Sequence, residues 1–238
     1  MVICLHEAGD NGNSFGALLD ALASSHSPLA FDRPGHGRSG SLDSAGSVDA
    51  MVSQLRGLAS GFGLGRPVLV GEGLGAAIAL AAAIVDPAWP KALVLVGSAA
   101  AHFDGLDGVV DELRRITSGK ARRAFDNTGY APDTAKEVFQ KAFAEWVRTD
   151  PRATLGDRLA QQAWDGRGHL GAVTCPVTVV VGEHEDDAAR STAEALAAEL
   201  PNARVVTLAG AGRHGVIEAP AVLAKIVDAA ATSTEVTR

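Results

Sequence analysis

The sequence predicts a single α/β domain, and three observations carry that reading. Short apolar runs recur between amphipathic helical patterns in both the first and last thirds of the chain. A glycine-punctuated turn, Gly71-Glu72-Gly73-Leu74-Gly75, joins one apolar run to a helix of small residues. The length of 238 residues, 47% of them apolar, suits one full core and demands no second domain.

Residues 2–5 form a first strand that begins almost at the first residue. Asn13 or Ser14 caps a helix with Phe15, Leu18, Leu19 and Leu22 on one face. Residues 29–31 are the next strand, and Ser47 starts a helix that turns Met51, Val52, Leu55 and Leu58 inward. Strand 68–70 runs into the glycine turn and a helix reaching Val85, which Pro87 and Pro90 end before strand 92–96. From about 101 to 171 the alternation stops, and the segment reads as a helical insertion. Within it, Thr134 and Glu137 make a capping box ahead of the stripe Val138, Phe139, Ala142, Phe143, Trp146 and Val147. Asp150-Pro151 opens another helix, with proline at its favoured first position. Alternation resumes with strand 177–181, a helix around 188–200, strand 204–208 and a last helix from 221 to about 230, before a polar tail expected to fray.

The net charge of −7 and a pI near 5.5 argue against nucleic acid or an anionic membrane as partner, since both need clustered cations. Cys4 and Cys175 lie in apolar strand patterns and read as buried thiols of a reducing compartment. No signal-peptide pattern and no long apolar run is found, so the expectation is a soluble, cytoplasmic protein. His184, Glu185, Asp186 and Asp187 are too close in sequence to converge on one ion, and no metal is expected.

A glycine turn between strand and helix serves two known designs. In the dinucleotide fingerprint it meets a pyrophosphate, and Gly71, Gly73 and Ala76 satisfy the spacing. The acid that should follow about 20 residues later is missing, because strand 92–96 ends in Gly97 and Ser98; no cofactor is expected. In the nucleophile elbow, Gly-x-Ser-x-Gly, the central residue presents an attacking oxygen. Here that residue is Gly73.

The flanking motifs decide between them. Leu5-His6-Glu7-Ala8-Gly9, the run from Phe31 through Asp32 to Ser39, the turn at 70–80, the strand end Val179 to Asp186 and the loop from Gly210 to Pro220 occur in the order of the α/β-hydrolase superfamily, which the chain resembles over nearly its whole length. The resemblance implies a mostly parallel sheet flanked by helices, with residues 1–100 and 172–238 as core and 101–171 as a helical cap over the site. It also implies a degenerate triad. Gly73 excludes the usual covalent acyl-enzyme, and Ser39 and Ser98 read as turn residues. Counting back from Glu218-Ala219-Pro220, the family's histidine position falls on Arg213, with His214 next. His214 is then either the general base or a loop residue beside an Arg213 anion clamp. Glu185 or Asp186 would orient it, the other capping a helix.

By the same resemblance the amides of Ala8 and Leu74 form an oxyanion hole, and His6 braces its loop. Glu7 replaces a glycine there, and its carboxylate either acts as acid or base or points to solvent. Glu72 is either catalytic or a buried hydrogen-bonding support. Trp146 is among the aromatics that could line an apolar pocket. Two function classes stay open. One is an enzyme without a covalent nucleophile, performing hydrolysis through water, or a lyase, cyclase or isomerase step, on a small apolar carbonyl compound. The other is a pseudoenzyme that binds a small ligand or a protein partner.

Overall fold

The computed structural model describes residues 1–97 and 100–233, so Ser98 and the last five residues of the tail lie outside the description. Strands β1 (Val2–Leu5), β2 (Pro28–Ala30), β3 (Val68–Glu72), β4 (Ala92–Val96), β5 (Val177–Gly182) and β6 (Ala203–Leu208) form one sheet in the order β2-β1-β3-β4-β5-β6. Every pairing is parallel. β1, β3, β4 and β5 are buried along their length on both faces, which is why they read as unbroken apolar runs.

One face carries α1 (Gly16–Leu22), the short α8 (Gly215–Glu218) and α9 (Pro220–Thr232), with Phe15, Leu18, Leu22, Leu223 and Val227 packed against the strands. The other carries α2 (Val48–Gly61), α3 (Leu74–Val85) and α7 (Asp187–Glu199), whose Met51, Leu55, Ile78, Leu80 and Leu196 fill the opposite core. α3 lies so close to β1 and β3 that a Cβ at Gly75 would meet the Leu5 carbonyl, and one at Gly71 the Gly75 carbonyl. Both positions therefore require glycine.

Three helices, α4 (Asp107–Thr117), α5 (Lys136–Arg148) and α6 (Pro151–Ala163), lie between β4 and β5. The segment leaves and returns at one place: Gly166 N–H donates to Ala101 O at 2.8 Å and Trp164 Nε1–H to Ala100 O at 3.0 Å. Ser47 and Asp150 cap α2 and α6 through their side chains, as expected. Two expected caps differ. Asn11, not Asn13 or Ser14, caps the turn ahead of α1, because the Ser14 hydroxyl is drawn to Asp10 at 2.6 Å. The capping box at α5 does not form, because Thr134 Oγ1 donates to Glu218 at 2.6 Å and α5 begins at Lys136 behind Ala135.

Candidate active site

A parallel sheet gathers the loops after its strands at one end, where α/β proteins place their ligands. Here the loop after β1 brings Glu7, the end of β3 brings Glu72 and Gly73, β4 brings Val96 and Gly97, the loop after β5 brings Glu185, and the loop after β6 brings Arg213 and His214. With Phe103, Arg158 and Gln161 from the 101–171 segment they enclose a cavity of about 200 Å³. That volume suits a small acyl group more than a drug-sized ligand. Among the described residues, no group of His, Cys, Asp and Glu is arranged to hold a metal ion.

Gly73 is the N-cap of α3, with φ 52° and ψ −111°, the strained elbow conformation that glycine adopts at least expense. The space above it is filled. A Cβ on Gly73 would collide with Oε2 of Glu7. The Glu7 carboxylate turns inward and occupies the site of the absent nucleophile. The Leu74 amide donates to its Oε2 at 3.1 Å, and the Ala8 amide to its Oε1 at 2.6 Å. Arg158 Nη1 and Gln161 Nε2 donate to the same Oε1 at 3.0 and 3.4 Å. The two amides expected to form an oxyanion hole do converge, but in this structure they hold the protein's own carboxylate.

Glu72 is buried at the cavity lining and accepts the Val216 amide at 3.2 Å. Burial raises its pKa well above the usual carboxyl range, and neighbouring Asp10 raises it further, against the opposing pull of the Val216 bond. Asp10 is itself pushed up to about 6 by burial, although it accepts from Ser14. The folded value exceeds the unfolded 3.8, so the stabilisation associated with protonated Asp10 is complete below pH 3.8 and lost as pH rises through 6. Asp10→Asn, which keeps an acceptor for Ser14, is therefore expected to gain stability relative to the native protein by about 2 kcal/mol on going from pH 4 to pH 7.5. Urea unfolding of both proteins at the two pH values checks this; a difference that stays constant with pH refutes it.

His214 and Glu185 share the cavity wall but do not form the expected pair. His214 Nε2 donates to the Thr128 carbonyl at 3.2 Å, and the ring stacks on Tyr130 with centroids 4.1 Å apart. Burial, then Arg213, lower its pKa, so the imidazole is neutral at physiological pH. Glu185 turns back to accept its own strand's Gly182 amide at 2.9 Å, and burial raises its pKa. Asp186 is outside the cavity and caps α7 through Ala189 N–H at 2.8 Å. The histidine loop is held instead by Glu218, which accepts from Ala131, Gly212 and His214 amides and from Thr134. Arg213 lines the cavity with its guanidinium 3.6 Å from Asp126. Trp146 does not line it; it packs with Phe125 and Phe143, and Arg123 lies over its ring at 4.0 Å.

His6 braces the loop: its Nδ1 donates to Glu7 O at 2.9 Å and its Nε2 accepts from Arg33 N–H at 3.1 Å. Asp157, Arg158 and Gln161 of α6 were not singled out from the sequence. Arg158 and Gln161, three apart and so on one face of the helix, were the available signal.

With this geometry in view, the comparisons with known proteins assign the chain. A family model described as the alpha/beta hydrolase family matches residues 2–226, and the chain belongs to that family. A curated relative, the polyketide synthase ThaQ of Burkholderia thailandensis, is 30% identical over 240 residues, covering 94% of this chain but 12% of that one. This chain thus spans about an eighth of that relative's length. A thermophilic esterase from Thermogutta terrifontis, solved with malate bound, superposes with a TM-score of 0.84 at 21% identity, covering 96% of this chain and 88% of that one. The enol-lactonase of Burkholderia xenovorans LB400 gives 0.75 at 18%, covering 98% and 91%. At these identities the two structures establish the shared fold.

Proposed function

We propose that the protein is an enzyme of its family that works without a covalent nucleophile at the elbow, with Glu7 as general base and Glu72 as general acid acting on a small carbonyl compound. The observation that carries this is the Glu7 carboxylate standing where the elbow side chain is missing and bordering the cavity. Two carboxyl groups in one cavity with opposed surroundings are an acid/base pair. Glu7 faces only donors, as a carboxylate requires, whereas burial and Asp10 favour the protonated form of Glu72. Glu7 takes a proton from the carbon next to the carbonyl, the C–H electron pair moves into the new C=C bond, and the carbonyl oxygen takes the Glu72 proton. The enol then collapses with its O–H proton returned to Glu72. Delivery of the Glu7 proton to a different carbon or to the opposite face gives an isomer, and expulsion of a β-leaving group that takes the Glu7 proton gives a lyase outcome. Arg213 and His214 line the same cavity and serve as polar contacts for the substrate. The likeness to a polyketide synthase supports an enolisable, carbonyl-rich acyl compound as substrate. The occupied amide pair favours this chemistry over ester hydrolysis.

A second reading, a binding protein that has lost its chemistry, is favoured by one observation: neither Glu185 nor Asp186 reaches His214. One experiment separates the two. Loss of the α-proton signal of an acetoacetyl thioester in D2O is followed by NMR with the native protein, Glu7→Gln and Glu72→Gln, beside turnover of p-nitrophenyl acetate. Exchange that drops at least about 100-fold in Glu7→Gln, with ester turnover negligible, is expected for general-base catalysis. Saturable binding of the thioester with no exchange establishes the binding reading instead.

A further inference from the structure

The geometry points to Arg158 as the positioning residue that sets Glu7 in its working rotamer, so that helix α6 decides whether the carboxylate stands over Gly73. The inference rests on the assignment of Glu7 as base. A glutamate has three side-chain torsions, and nothing in its backbone position forces the carboxylate toward the elbow. The two amides supply one hydrogen bond to each oxygen. The remaining donors both come from α6: Arg158 Nη1 and Gln161 Nε2 meet Oε1. Arg158 Nη1 also donates to Gln161 Oε1 at 2.7 Å, which orients the glutamine amide toward Glu7. Arg158 therefore acts twice, by its own charge-assisted bond and by aligning the second donor.

The residue just before it makes the platform rigid. Asp157 is enclosed and accepts from Arg33 Nη2 at 2.6 Å and from the Gly9 amide at 3.4 Å. Arg33 in turn donates to the carbonyls of His6 and Glu7. One turn of α6 thus grips the backbone of the Glu7 loop through Asp157 and the carboxylate of Glu7 through Arg158. Loop and side chain are registered to the same helix, and a misplacement of about 1 Å at a reacting group costs on the order of 100-fold in rate.

The test reads the carboxylate's position without requiring turnover. The amide protons of Ala8 and Leu74 are followed by NMR in the native protein, Arg158→Met, Arg158→Lys, Gln161→Leu and Glu7→Gln. Short bonds to a carboxylate hold amide protons downfield, so Glu7→Gln defines the shift without the charge. In Arg158→Met both signals are expected to move most of the way to that reference, with Arg158→Lys returning part of it and Gln161→Leu causing a smaller move. Unchanged Ala8 and Leu74 signals in a folded Arg158→Met protein overturn the inference. In the thioester exchange, Arg158→Met is expected to lower kcat about 100-fold with KM little changed. Activity lost in Glu7→Gln but retained in Arg158→Met refutes the positioning role alone. Activity untouched by Glu7→Gln refutes the base assignment itself.

Discussion

Gly73→Ser, the substitution that would restore the family's nucleophile, is expected to weaken the protein and to leave it without esterase activity. Two effects act together. The backbone at Gly73 lies at φ 52° and ψ −111°, where a non-glycine residue costs about 1–3 kcal/mol. The new Cβ would also overlap Oε2 of Glu7. Because that atom ends a flexible side chain, the clash is relieved by expelling the carboxylate, which forfeits its bonds to Ala8, Leu74, Arg158 and Gln161. The expected loss of stability is about 2–4 kcal/mol. No hydrolysis follows, since His214 is committed to Thr128 and has no acid behind it. Glu7→Gly combined with Gly73→Ser removes the overlap and frees both amides, but it keeps the backbone strain and gives up the same carboxylate bonds, so the double variant is expected to be no more stable than Gly73→Ser. Urea unfolding of the three proteins, with p-nitrophenyl acetate turnover, decides this. A serine variant as stable as the native protein, with Glu7 still on the two amides, would show that the carboxylate and a side chain at position 73 do not compete.

The sheet was legible because a strand buried on both faces cannot hide its composition. Residues 2–5, 68–70, 92–96 and 177–181 were read within a residue or two of their ends. The glycine turn was equally plain, since close approach of α3 to β1 leaves no choice of residue at Gly71 and Gly75. The site was only half legible. That Glu7, Glu72, Gly73, Glu185, Arg213 and His214 share one cavity follows from their strand-end positions. Which way each side chain turns does not, because the deciding partners are distant in sequence. Glu7 is turned inward by residues more than 150 positions away, and His214 is held by Thr128, 86 positions before it. Trp146 shows the same limit from the other side. An aromatic at helical spacing packs against a cavity or against its neighbours with the same pattern, and the nearby Phe125, Phe143 and Arg123 claimed it.

Asp157→Ala is expected to destabilise the fold by about 3–5 kcal/mol, the range for removing one partner from a buried ion pair. The loss falls on Arg33 and His36, both enclosed, whose side chains approach Asp157 Oδ2 at 2.6 and 3.0 Å. With the carboxylate gone, the guanidinium remains buried beside the carbonyls of His6 and Glu7, without its counter-charge. In a chain of this size that loss lowers the melting temperature by roughly 10 °C. The pH dependence has a definite sign. Burial alone would raise the Asp157 pKa, but the charge of Arg33 and the His36 contact overcome it and hold the carboxyl well below the usual range. A depressed carboxyl stabilises the fold above its unfolded pKa of 3.8, and that contribution disappears as pH falls toward the folded value. The gap between native and Asp157→Ala is therefore expected to be constant from pH 5 to pH 8 and to narrow below pH 4. Asp157→Asn, which retains an acceptor for Arg33 without the charge, should lie between the two. Thermal unfolding at pH 3.5, 5 and 7.5 reads all of these. An alanine variant within 1 kcal/mol of the native protein at neutral pH would mean that α6 is held by its apolar contacts alone, and that the buried charges beneath it are dispensable.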